Sequence, residues 1–171
     1  MSELKRDVVF GRIPSERYQE LIDFGWETGE SAARSLAARL KTTLPSEMAQ
    51  KLNLSILSED WEEGRSSVKV YSEYEDRFGR ITLHPNIIRE GLERLNKKGF
   101  CFVENYEAAR ELFLAHEIFH FMECRELGLT SRKKEIVTLK IGRLKICSGV
   151  RALGEIAAHA FTRVLIGVNV G

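Results

Sequence analysis

Apolar and polar residues follow two different periods along this chain, and those periods predict where helices and strands lie. From about Pro14 to Lys41, Leu21, Phe24, Ala32, Ala33, Leu36, Ala37 and Leu40 recur at spacings of three and four, which predicts helix with one buried face. Gly25 and Gly29 interrupt this run and predict two helices rather than one. In "LPSEMAQKLNL", Ser46 is positioned to cap a short helix ending near Asn53. The period then falls to two in "SSVKVYSEYEDRFGRITLH". Val68 and Val70 alternate with Lys69 and Tyr71, Arg80 to Leu83 form a return strand, and "EDRFG" supplies the turn. Pro85 opens a helix from about Asn86 to Lys98, stopped by Gly99.

Asn105 can cap the next helix, which runs to about Leu127 with Gly128 as its stop. From Leu112 to Met122 this helix is apolar on nearly every side, the pattern of a helix buried in the middle of a fold. "SRKKEIVTLKIGRLKIC" fits both periods. It alternates at Val137, Leu139 and Ile141, but Val137, Ile141 and Leu144 have helical spacing, and helix is the expectation. A last helix runs from about Ser148 to Gly167. With no internal repeat and no linker, the 171 residues suit one domain. The expected fold is α+β and mostly helical. It has N-terminal helices over 14–53, a small antiparallel sheet at about 66–84 packed on the 105–127 helix, and a final helix over 148–167.

Composition narrows the field. A net charge of +1 gives no global pull toward nucleic acid or acidic membranes. The opening "MSELKRDVVFGRIPSERY" has no apolar stretch of a signal peptide, and no apolar run approaches the roughly 18 residues of a membrane span. Cys101, Cys124 and Cys147 are odd in number and widely spaced, which points to a reducing cytoplasm rather than a disulfide framework.

The chemistry concentrates in "FLAHEIFHFME", where His116, Glu117 and His120 form H-E-x-x-H. At about 3.6 residues per turn the two histidines lie one above the other and can reach one ion. Zinc suits nitrogen and oxygen ligands, and its catalytic sites keep one position open for water. Glu117, about 100° away around the helix, is free to take a proton from that water. Two satisfied core histidines are the plain alternative. Burying two imidazoles among Phe113, Ile118, Phe119, Phe121 and Met122 is costly unless their nitrogens have partners, and a metal gives each ring one. A third ligand is then needed. In "GEIAAHAFTRVL", Glu155 and His159 share a helical face, and Ala157, Ala158 and Ala160 permit close packing. Spacing alone does not choose between Glu155 and His159, and a solvated Glu155 is the plain alternative.

H-E-x-x-H followed by a helix with Glu155, Ala158, His159 and Phe161 at these offsets resembles the gluzincin metallopeptidases, and within them the ImmA/IrrE family. The resemblance extends from about Ser31 to Gly167. It implies a minimal zincin-like, cytoplasmic fold with one zinc ion, or another divalent metal, on His116, His120 and Glu155. His159 would then brace a zinc-bound histidine from behind. The chain departs from the family pattern at Ala157, at His159 and at Leu165-Ile166-Gly167-Val168, where the family has Glu, Asn or Asp, and Leu-Leu-x-Pro.

On this reading the chain is a zinc peptidase in which Glu117 activates the water. The resemblance implies a regulatory protein as substrate, such as a helix-turn-helix repressor of a mobile element or stress operon. The substrate strand would lie along a sheet edge at Arg80 to His84. His84, Tyr71 and Tyr74 are candidates to stabilise an oxyanion, with a strand-end histidine as the plain reading of His84. Cys124 reads as a small buried hydrophobe rather than a ligand. The cluster Arg132, Lys133, Lys134, Lys140, Arg143 and Lys145 reads as a solvated face, and without aromatic interleaving it makes direct nucleic-acid binding a poor fit. The rival reading is an inactive metal-binding module that regulates a partner protein without cutting it.

Overall fold

The computed structural model describes residues 1–62, 64, 68–97, 103–142 and 144–167. Along them run α1 (Ser2–Arg6), α2 (Tyr18–Leu40), α3 (Pro45–Lys51), β1 (Ser55–Ser58), β2 (Ser72–Glu75) and β3 (Arg80–Leu83). Then follow α4 (Pro85–Lys97), α5 (Tyr106–Met122), β4 (Glu135–Ile141), β5 (Leu144–Gly149) and α6 (Ala152–Ile166). The class is α+β and mostly helical. None of the described helices is long and apolar enough to cross a membrane.

The long N-terminal helix is undivided, contrary to the reading of Gly25 and Gly29 as breaks. Both glycines are buried in α2, where they face α6. A Cβ on Gly25 would lie 2.9 Å from Ile156 Cγ2, and one on Gly29 would run into the backbone carbonyl of Ala157. These glycines are notches that let two helices touch, and tertiary packing outweighs their low helix propensity. The short helix also starts differently. Leu44 is its N-cap and Pro45 its first residue, so Ser46 lies inside α3 rather than capping it.

The first sheet is mixed, not antiparallel, with strand order β1-β3-β2. β1 pairs parallel to β3, placing Ile56 beside Ile81, and β2 pairs antiparallel, placing Tyr74 beside Ile81 on the other side. β1 escaped the sequence reading because "SILS" is only four residues long and mostly exposed. Val68 and Val70 lie before β2 rather than in a strand, and Ser66 and Ser67 lie outside the described residues. β3, expected at an open edge, is the buried central strand.

"SRKKEIVTLKIGRLKIC" is a β-hairpin, β4 and β5, and not a helix. Ile136, Val137, Thr138, Ile141 and Ile146 are β-branched, and Gly142 at φ 57° takes the left-handed turn position. The helical spacing of Val137, Ile141 and Leu144 does not mark a buried face, because Val137 and Leu144 are exposed. Ile136 joins the hairpin to a small core with Leu4, Val9, Leu21, Val150 and Leu153. Arg143 lies outside the described residues, as do Lys98, Gly99, Cys101 and Val168.

The main core forms around α5. Leu114, Ile118 and Phe119 pack with Leu36 of α2, Met48 of α3, Ile81 and Leu83 of β3, Ile88 of α4 and Phe161 of α6. Residues of α1 and β4 belong instead to the smaller core with Leu21 and Leu153.

Candidate metal centre

Helix α5 begins where the sequence places it. Asn105 Oδ1 accepts a hydrogen bond from Ala108 N at 2.9 Å, satisfying one of the free amides of the first turn. Burial of Leu114, Ala115, Ile118, Phe119 and Met122 fixes the rotation of the helix. That rotation leaves His116 and Glu117 on the wall of a cleft of about 790 Å³. His116 and His120 have ring centroids 4.9 Å apart and Nε2 atoms 3.2 Å apart.

Helix α6 brings the third group. Ala157 and Ala158 are fully buried, and Phe161 sits against Phe119 at 5.7 Å between centroids. Glu155 Oε2 then lies 3.4 Å from His116 Nε2, and its Oε1 lies 3.7 Å from His120 Nε2. One atom from each of His116, His120 and Glu155 falls within 4.8 Å of the others, so this group could hold a metal ion. The separations suit one: ligands about 2.0–2.1 Å from a tetrahedral ion are about 3.4 Å from each other.

The charged groups of the site act on one another. Hydrogen bonding to His116 holds the Glu155 carboxyl at about 2, against the opposing effect of burial. Burial alone would lower the His120 pKa, but the bond to Glu123 and the charges of Glu117, Glu155 and Glu123 raise it. Burial, with His116 nearby, lowers the His159 pKa.

Two residues complete the site that the sequence reading missed. Glu123 Oε2 lies 3.1 Å from His120 Nδ1, and its Oε1 accepts from Thr130 N at 2.8 Å. A carboxylate can only accept there, so His120 carries its proton on Nδ1 and turns the lone pair of Nε2 toward Glu155 and His116. Gly154 leaves room for this carboxylate, since a Cβ would lie 3.2 Å from Glu123 Oε2. Ser72, the first residue of β2, donates from Oγ to Glu117 Oε1 at 2.6 Å. Glu117 is itself only 5% exposed. An acid three residues beyond the second histidine was the available signal for Glu123. Ser72 had none, because it meets Glu117 only in three dimensions.

The other candidates are placed as follows. His159 lines the cleft with its ring 5.5 Å from that of His116, but it is not part of the three-atom group. Tyr71 lines the cleft and stacks on Phe113 at 4.8 Å. Gly91 makes that possible, since a Cβ there would lie 2.6 Å from the tyrosine ring. Tyr74 turns away to Phe121 and donates to Asp76. His84 is not brought to the site. It is fully buried, with Nδ1 2.9 Å from the Glu59 carbonyl and its ring edge-on to Trp61. Cys124 is exposed rather than buried. Within the basic cluster, Lys134 bonds Glu20 at 2.9 Å and covers the Phe24 ring, so it serves the hairpin's attachment to α2.

Comparison of the chain with protein-family models, with curated proteins and with solved structures finds no match in any of the three.

Proposed function

We propose that this chain is a zinc-dependent peptidase of the ImmA/IrrE type, minimal and zincin-like, that cuts a specific cytoplasmic regulatory protein such as a helix-turn-helix repressor. The observation that carries the reading is the meeting of His116, His120 and Glu155 beside a buried Glu117 on one cleft wall. A structural metal site has no use for that fourth group, which favours a peptidase over an inactive binding module.

His116, His120 and Glu155 would hold the ion. Zinc bound there supplies Lewis acidity toward a carbonyl oxygen and a water acidic enough to ionise near neutral pH. Glu117 moves the protons. Its Oε1 is engaged by Ser72, which leaves Oε2 to accept a proton and later to deliver it to the leaving amine. Glu123 keeps His120 in the tautomer that ligation needs. The substrate strand would add to β2 rather than to Arg80–His84, because among the described residues β2 pairs with β3 on one side only, and it carries Ser72 next to Glu117.

The test is Glu117→Gln, assayed on candidate repressors from the same genome. The variant should retain metal and lose cleavage by several orders of magnitude. Wild-type cleavage by the glutamine variant would exclude the mechanism.

A further inference from the structure

Three described cationic side chains line the cleft: Arg6, Lys69 and Arg163. Two of them are compensated. Arg6 lies 3.3 Å from Glu3, and Lys69 lies 3.1 Å from Glu90. Arg163 makes no ion pair among the described residues. Its guanidinium lies over the Trp26 ring, 5.3 Å from the centroid, and Trp26 is itself fixed by donating to Glu30 at 3.0 Å. Stacking suits a weakly hydrated guanidinium and leaves its in-plane N–H donors free for an anion.

The residue before it contributes wall rather than a donor. Thr162 is only 7% exposed and lines the same cleft, yet its Oγ1 has no hydrogen-bond partner. That oxygen is itself buried behind the cleft wall, so the polar contact on this stretch of α6 is left to Arg163.

We infer that Arg163 forms a subsite for a carboxylate of the bound peptide. The inference rests on reading the cleft as a peptide site. The rest of the lining decides where an acid fits. Ile88, Leu92, Leu112 and Phe113 offer apolar surface, and Glu117 and Glu155 repel an anion at the metal end. Away from the ion, Arg163 is the lining cation without an ion pair among the described residues. Arg163 lies about two helical turns, roughly 12 Å, beyond Glu155, and an extended peptide advances about 3.3 Å per residue. The carboxylate therefore sits about two to four residues from the bond that is cut. An acidic side chain and a free C-terminus offer the same chemistry.

The test measures binding to the full-length chain as purified. The probes are acetylated hexapeptides of Leu and Ala: a neutral amide, a series with one Glu moved through each position, and one with a free C-terminal carboxylate. At least one acid should bind about tenfold or more tightly than the neutral amide. A preferred Glu position identifies a side-chain carboxylate, and a preferred free terminus identifies the chain end. Arg163→Gln should abolish the advantage, and Arg163→Lys should keep part of it. Equal binding of neutral and acidic probes overturns the inference. So does an acid advantage that survives Arg163→Gln, which would place the carboxylate on the metal, and so does a failure of every probe to bind at millimolar concentration. The peptidase reading stands or falls separately. A chain that binds acids through Arg163 but cuts nothing keeps this subsite, and one that cuts peptides without acid preference loses it.

Discussion

Glu123 meets His120 on the side of the ring facing away from Glu155, with Oε2 3.1 Å from Nδ1. Its second oxygen is held by Thr130 N, so the carboxylate is fixed at both ends. Ring orientation and proton position are thereby set before any ion arrives. Replacing Glu123 with Gln should weaken zinc binding by about 10- to 100-fold without removing a ligand. Competition against a chelator of known affinity measures this, and unchanged affinity would reduce Glu123 to a helix-end contact.

The same pair gives a pH dependence with opposite signs for folding and for metal. The His120 pKa is raised above 6.5 in the fold. Protonated His120 therefore stabilises the metal-free protein fully below pH 6.5, and that contribution is lost as pH rises through the folded pKa. His159, whose pKa is lowered, acts in the other direction below pH 6.5. Zinc needs His120 neutral, so its affinity should rise over the range in which metal-free stability falls. Denaturant melts of chelator-treated protein, set beside zinc titrations at the same pH values, test both signs.

The α2–α6 contact that carries Glu155 depends on Gly29. A methyl group there meets the Ala157 backbone, which cannot swing aside. Gly29→Ala should destabilise by about 1–3 kcal/mol even though Ala is the better helix former. Gly25→Ala meets the side chain of Ile156, which can shift, and should cost less. Urea midpoints of both variants order them.

These glycines also mark what the chain conceals when read linearly. A helix built on its own periodicity and cap, such as α5 with Asn105, is legible because the determinants are local. The pairing of His116 and His120 is legible for the same reason, and Glu155 is legible as a carboxylate in an apolar helix. Gly25 and Gly29 read as breaks because their reason lies on another helix. β1 was invisible because its partner, β3, lies beyond β2 in the sequence. The β4–β5 hairpin deceived because Ile136 is buried while Val137, Leu139, Leu144 and Ile146 are exposed, so those positions did not report the core. His84 stands at a strand end, where the neighbours Trp61 and Glu59 decide which way the ring turns.

Whether His116, His120 and Glu155 hold one metal ion is decided by zinc stoichiometry and affinity. Wild-type protein purified without chelator should carry one zinc per chain. Glu155→Gln should lose it, since a neutral amide is a poor zinc ligand. His159→Asn should keep it with a smaller drop in affinity, because His159 lies outside the three-atom group. Metal retained by Glu155→Gln and stripped by His159→Asn would make the site a three-histidine one and contradict the account.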